Sequence, residues 1–368
     1  MPFVPSARGS ALKIVILFLA LAALGVGGWF TYKTFIKKPA QRLPGQTTDL
    51  VPPDGIAPFD PKPLMDKLAE RITTDKFRFA VMGDTKHAPT LPPFVKYLEE
   101  TVKPDFMLTT GDMVQSGGGL PGPGYYEKLK DELGQSMRKY PWWPAIGNHE
   151  IAGNPVIANK SEGAQLKHNQ ITGIDNFKRF YNLTDDHYVF TFRNCTFIAL
   201  PFPMPDAKQT EWFESELKKA NEAKKHIFVF NHMPFYTIGS KTSDTVPNKE
   251  TPITALLKKY GVTAMFSGHD HGYYRTVRNG IPYIISAGGG AKIYAAKRIK
   301  EAIPGDVYYH ADPENIDQYM LHTDDAKPNK ITTVPDQYMC VVDVDGDKID
   351  YFVVSVKGEK WDSIQLSK

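Results

Sequence analysis

The chain has 368 residues, 42% hydrophobic and 12% aromatic, enough for one large domain or two ordinary ones. Its formal charge of +3 is uneven: the first fifty residues hold six Lys or Arg against Asp49 alone, leaving 38 basic and 40 acidic residues for the rest. That balance argues against a nucleic-acid-binding surface, and the two cysteines, Cys195 and Cys340, form neither a metal-type pair nor a disulfide framework.

In chain order, the first element is Ile14–Tyr32, IVILFLALAALGVGGWFTY, which carries no charge. As a helix it would be about 28 Å long, close to the thickness of a bilayer core. It is long for the apolar part of a signal peptide and has no clean small-x-small cleavage site before Trp29, so residues 1–36 read as an uncleaved single-pass membrane anchor. More basic residues follow the span than precede it, which by itself would place the C-terminal side in the cytoplasm. Long domains cross regardless of local charge, and the expectation is an extracytoplasmic domain. Residues 37–63, rich in Pro and Gly, read as an extended tether, and residues 64–368 as the folded domain.

Short apolar runs then alternate with amphipathic stretches. FRFAVMGD (Phe77–Asp84) predicts a buried strand, Pro92–Val102 a helix, DFMLTTGD (Asp105–Asp112) a second strand and Tyr125–Tyr140 a second helix, before WWPAIGNHE. HYVFTFRNCTFIALPF predicts antiparallel strands, QTEWFESELKKANEA a helix, HIFVFNHMPF a strand, PITALLKKYGV a helix, and TAMFSGHDH and IPYIISAGGG further strands. The last signal is a hairpin, YMCVVDVDGDKIDYFVVSV, turning at Gly346. Ser240–Glu250 and Ala295–Thr333 read as long polar loops. The alternation implies an α/β sandwich of sheets covered by helices. Within it, Cys195 and Cys340 read as buried free thiols, with a single bridge between them as the other possibility.

Five polar clusters fall at predicted strand ends: Asp84 in GDTK, Asp112 in GDMV, Asn148 and His149 in GNHE, His232 in NHMP, and His269 and His271 in GHDH. Loops at the C-terminal ends of strands in α/β folds converge on one crevice. Carboxylate, amide and imidazole donors without thiolates suit Mn, Fe or Zn ions. A lone Gly-Asp would read as a turn and a lone His232 as a hydrogen-bonded residue, whereas GNHE and GHDH are far less common by chance; all five in sequence, each at a strand end, do not read as structural.

On these motifs, with GHDHGYYRT and the closing hairpin, Phe77–Val356 resembles the calcineurin-like metallophosphoesterases, and is most similar to the branch related to purple acid phosphatases. The resemblance implies a four-layer α/β/β/α sandwich carrying two divalent transition-metal ions and hydrolysing phosphate mono- or diesters with a metal-activated water. It implies Asp112 as the bridging ligand, Asp84 and His271 on the first ion, and Asn148, His232 and His269 on the second. His149 would be the proton donor or phosphate contact, with Glu150 or Asp270 supporting the ligands. Two positions depart from the family pattern. Lys86 stands where many members have a histidine, and Gln115 where purple acid phosphatases have a tyrosine. Lys86 reads as a contact to a substrate phosphate oxygen or as a structural lysine, with His87 as a replacement ligand. Arg275 reads as a residue positioning the substrate or the histidine loop, or as a structural ion pair, and Tyr273 and Tyr274 as packing residues. His310 and His322 lie in a stretch that reads as a lid or as a surface insertion. The departures keep an alternative function open, a membrane-tethered, non-catalytic module binding metal or phosphate. Oligomeric state is not legible.

Overall fold

The computed structural model describes residues 59–119, 121–153, 162–202, 204–240, 248–323 and 330–367, with 162–168 described as backbone alone. The expected anchor and most of the tether lie outside the described residues, as do 241–247 of the first expected loop. Among the described residues, no helix is long and apolar enough to cross a membrane.

Two sheets carry the fold. The smaller contains β1 (Lys76–Met82), β2 (Phe106–Thr109), β3 (Trp142–Pro144), β13 (Tyr338–Asp345), β14 (Lys348–Ser355) and β15 (Lys360–Leu366), in the order β15-β14-β13-β1-β2-β3. The larger contains β4 (Tyr188–Phe192), β5 (Cys195–Ala199), β6 (His226–Phe230), β7 (Ala264–Ser267), β8 (Tyr273–Arg278), β9 (Ile281–Ser286), β10 (Val307–Ala311), β11 (Tyr319–His322) and β12 (Lys330–Thr332), in the order β12-β11-β10-β8-β9-β7-β6-β5-β4. Strands β1–β2–β3 pair in parallel, as do β5–β6–β7–β9. The parallel crossovers run through helices α2 (Leu91–Tyr97), α3 (Gly122–Lys139), α6 (Ala207–Glu222) and α7 (Pro252–Lys259); α1 (Lys62–Arg71), α4 (Asn148–Ile151) and α5 (Glu162–Tyr181) complete the set.

Strand periodicity explains why the runs are apolar without a break. In β6, Phe228 and Phe230 join one core while Ile227 and Val229 join another; in β7, Ala264 and Phe266 divide from Met265 in the same way. Successive side chains point to opposite faces, so a strand covered on both must be apolar throughout. The first core lies between the sheets. Phe79 of β1 meets Phe197, Phe228 and Phe266 of the larger sheet edge-on at 5.2, 5.0 and 6.5 Å. The second joins the larger sheet to Phe213 and Leu217 of α6 and Ile253 and Leu257 of α7. With Phe79 turned toward the other sheet, Ala80 and Met82 point the opposite way and are still fully buried. Helices α2, α3 and α5 supply the apolar residues Phe94, Leu129 and Phe177 to that same core. The α/β sandwich expected from the sequence is present.

One expectation is corrected. Ala295–Thr333 is not one long loop, because it holds three strands: β10 pairs antiparallel with β8, and β11 and β12 continue the larger sheet to its edge. The alternation there, with Val307, Tyr309 and Ala311 buried and Tyr308 partly exposed, was masked by the polar residues between the strands. Helices α1 and α5 and strands β8 and β15 also form without having been anticipated. Cys195 and Cys340 are buried free thiols on different sheets, as anticipated.

Candidate metal centre

The strand-end residues come together where parallel strands of both sheets stop. Asp84 follows β1, Asp112 follows β2, Asn148 opens α4 after β3, His232 follows β6, and His269 and His271 follow β7. Three of these residues have left-handed backbones, Asp84 at φ 58°, Asp112 at 55° and His269 at 72°. Non-glycine residues rarely adopt that region, and its clustering at one place is typical of functional sites. The glycines in the motifs allow close approach. A Cβ on Gly147 would lie 2.5 Å from Asp112 Oδ1, and one on Gly268 would lie 2.7 Å from Asp84 Oδ2.

Asp84, Asp112 and His232 are fully buried, and His269 and His271 nearly so. His232 Nδ1 lies 2.7 Å from the Thr110 carbonyl oxygen and must donate to it. In the neutral imidazole Nε2 is then the acceptor, and it faces Asn148 Oδ1 and His269 Nδ1, each at 2.9 Å, and Asp112 Oδ1 at 3.3 Å. Two of those neighbours are oxygens with no proton to offer. Lone pairs crowded in this way repel one another unless a cation lies among them, so Asp112, Asn148, His232 and His269 fit a metal ion. Ligand atoms of Asp112, His232 and His269 all lie within 4.8 Å of one another.

A second group, Asp84, Asp112 and His271, meets the same distance test. His271 Nδ1 donates to the Lys292 carbonyl oxygen at 2.7 Å, turning its Nε2 toward Asp84 Oδ1 at 3.1 Å. Asp84 Oδ1 and Asp112 Oδ2 are buried without a hydrogen bond. Here the fit to an ion is poorer, because a cationic side chain is already present. Lys86 Nζ lies 3.0 Å from His271 Nε2 and 3.1 Å from Asp112 Oδ2. Burial opposes ionisation of Asp84, yet the contacts to His271, His232 and Lys86 hold its pKa well below the usual carboxylate range.

Around these groups the main chain sets orientation. Glu150 accepts from the N–H groups of Asp112 (2.8 Å), Met113 (2.8 Å) and Gly147 (2.7 Å), tying the loop after β2 to the start of α4. Burial and the charge of Asp112 push its pKa up to about 8, against backbone donors that favour the anion. His149 donates its backbone N–H to Asp112 Oδ1 at 2.8 Å, and its Nδ1 to the Gln115 carbonyl oxygen at 2.6 Å, which leaves Nε2 3.8 Å from Asp112 Oδ2. Its side chain is 20% exposed, the most open of the group. Asp270 accepts from Thr237 Oγ1 at 2.6 Å and stands against Gly239, on the loop after β6.

Two residues expected at the site lie elsewhere. Arg275, on β8, forks onto Asp362 of β15, with Nε to Oδ2 at 2.5 Å and Nη2 to Oδ1 at 3.1 Å, and its third contact is the Gly305 carbonyl. It links the two sheets, the structural ion pair of the two readings, and is corrected as a substrate-positioning residue. His87 bonds Glu132 of α3 at 2.7 Å and stacks on Tyr125, so it is not a replacement ligand. His310 and His322 are adjacent across β10 and β11, with Nε2 atoms 3.2 Å apart. Sequence reasoning did not find the carbonyls of Thr110, Gln115 and Lys292, which select the histidine tautomers. They leave no compositional signal, because every residue has a carbonyl.

A two-sheet α/β sandwich with oxygen and nitrogen donors gathered at the strand ends defines the class of a metallophosphoesterase. Residues 77–273 match the calcineurin-like phosphoesterase family, and the chain belongs to it; its similarity is to the branch related to purple acid phosphatases. It is a hydrolase acting on phosphoric ester bonds. It is 28% identical to human tartrate-resistant acid phosphatase type 5 over 290 residues, covering 68% of this chain and 84% of that protein. Among solved structures it is similar to the purple acid phosphatase PPD1 of yellow lupin, with TM-score 0.58, 14% identity, and coverage of 80% of this chain and 54% of that one. It is also similar to GAP50, the anchor in the inner membrane complex of Plasmodium, with TM-score 0.50, 17% identity, and coverage of 80% and 89%. The chain thus spans about half of the lupin protein, and both structural likenesses concern the fold alone.

Proposed function

We propose that the cluster hydrolyses phosphate esters at two adjacent cation positions that share Asp112. Asp84 and His271 would flank the first, and Asn148, His232 and His269 the second. The observation that carries this reading is the convergence on His232 Nε2 of Asn148 Oδ1 and His269 Nδ1, each at 2.9 Å, and Asp112 Oδ1 at 3.3 Å. A divalent ion bound there supplies Lewis acidity toward a phosphoryl oxygen and makes a water acidic enough to attack at neutral pH.

The protein's own groups account for the remaining steps. Carbonyl contacts from Thr110 and Lys292 hold His232 and His271 as acceptors toward the centre. Glu150 fixes the backbone of Asp112 and Gly147, so the carboxylate and the amide keep their spacing. His149 is the proton donor to the leaving oxygen: Nδ1 is committed to Gln115, and Nε2 faces the centre. Lys86 brings a fixed positive charge to the phosphate.

The test uses the full chain with p-nitrophenyl phosphate and bis-p-nitrophenyl phosphate after addition of Mn²⁺, Zn²⁺ or Fe²⁺. Asp112→Asn should lose bound metal and most turnover. His149→Ala should keep its metal and lose about 10²–10⁴-fold in kcat. Parental rates in both variants would refute these roles, and no turnover with any ion would leave the tethered binding module as the surviving reading. We also propose, on the sequence alone, that residues 14–32 anchor the chain in a membrane, that 37–63 tether it, and that 64–368 form an extracytoplasmic catalytic domain.

A further inference from the structure

We infer that Lys86 takes the place of the first metal ion, so that the centre holds one divalent ion beside one fixed ammonium. This rests on the phosphoesterase reading above and specifies its cation content. Lys86 Nζ lies 3.1 Å from Asp112 Oδ2 and 3.0 Å from His271 Nε2, two of the three donors of the first position. Those donors and Asp84 fall within 4.8 Å of one another. An ion bound to oxygen and imidazole ligands at about 2.0–2.2 Å would need the donor atoms of Asp112 and His271 that the ammonium already touches. Two cations so close, in a buried site, repel strongly.

The lysine is built in rather than dangling. Its backbone is left-handed, at φ 45°, and its N–H donates to the Asp112 carbonyl at 3.2 Å. Its side chain is 11% exposed. The neighbours that could have completed a ligand set are engaged or exposed: His87 bonds Glu132, and Gln115 is an exposed residue whose backbone carbonyl meets His149. The first position therefore has three protein donors, one of them shared with the second position and two of them in contact with the lysine. The second position has four donors and no cationic side chain among them. Asp112 turns Oδ2 to Lys86 and Oδ1 to His232, so the lysine and a single ion at the second position would stand on either side of one carboxylate.

The test is metal stoichiometry, read independently of turnover. The full chain, purified in mild detergent and stripped with chelator, is titrated with Mn²⁺ by calorimetry, and its Mn²⁺ is examined by electron paramagnetic resonance. The expected result is one Mn²⁺ per chain with the signal of an isolated ion. His232→Ala should abolish binding, whereas His271→Ala should retain the ion. Lys86→His, which removes the ammonium and adds a ligand, should take up two ions with the broadened signal of a spin-coupled pair. Lys86→Gln, removing the charge alone, controls for a misfolded histidine variant and should lose about 10²-fold in kcat while still binding its ion. Two equivalent ions in the parent, none in the parent, or equal loss of binding in His232→Ala and His271→Ala would each overturn the inference. Turnover fails or succeeds separately: one ion without hydrolysis sinks the function reading alone, and hydrolysis with two ions in the parent sinks this inference alone.

Discussion

At the scale of single residues, the centre depends on groups that never touch substrate. Glu150 is fully enclosed and holds three backbone donors, from Asp112, Met113 and Gly147, at 2.7–2.8 Å. Glu150→Gln keeps the shape but replaces one acceptor oxygen by an NH₂ that faces a backbone N–H. We expect a loss of about 1–3 kcal/mol in thermal unfolding experiments, together with weaker Mn²⁺ binding as Asp112 shifts. Unchanged stability would mean that these backbone contacts are replaceable. His232 and His271 make the same point, since each is useful to a cation only because a carbonyl oxygen occupies its other nitrogen.

Between elements, two contacts deserve tests because they involve residues that the sequence had suggested for function. Arg275 on β8 and Asp362 on β15 join the larger sheet to the smaller one, and Tyr273 Oη adds a 2.6 Å hydrogen bond to the same carboxylate. Arg275→Met leaves Asp362 buried without its counter-charge and should cost about 3–5 kcal/mol in chemical denaturation. Arg275→Met with Asp362→Leu should recover much of that loss while kcat stays near the parent. A double variant that is stable but inactive would return Arg275 to the site. The second contact is His310 with His322 across β10 and β11, where His322 also stacks on Tyr308 at 4.1 Å. Burial, then the neighbouring His310, lowers the pKa of His322 to about 4, and burial lowers that of His310. Both folded-state values lie below the unfolded one, so the unfolded chain binds more protons as pH falls. Stability should therefore drop from about pH 6.5 to about pH 4 and level off beyond. His322→Gln should flatten that stretch of the melting-temperature profile by about 1 kcal/mol; an unaltered slope would place the acid sensitivity elsewhere.

For the whole molecule, the proposed membrane anchor and the catalytic domain make separable predictions. The full chain should stay with the membrane fraction after alkaline carbonate washing. A chain lacking residues 1–36 should leave it while keeping kcat on p-nitrophenyl phosphate. Protease added outside intact cells should remove the domain if it is extracytoplasmic; protection until lysis would reverse the proposed orientation. The balance of 38 basic and 40 acidic residues beyond the first fifty fits a domain held at a membrane by its apolar segment rather than by surface charge.

How much of this was legible in the sequence follows the range of each interaction. Local signals sufficed for most strands and helices: Phe77–Met82, the alternation around Cys195 and the hairpin at Gly346 are set by side-chain period and turn geometry, which involve near neighbours. They sufficed also for the donor types, because Asp, Asn and His at strand ends declare their chemistry wherever they meet. The family resemblance implied which donors share a cation position; only tertiary structure decided that Arg275 belongs to Asp362, that His87 belongs to Glu132, and that β10–β12 extend a sheet. Each of those contacts joins segments distant in the chain, and no local pattern encodes them. Lys86 combines both kinds of information. Its sequence position marked a departure from the family, and only the approach of Asp112 and His271 to its ammonium gave that departure a physical meaning.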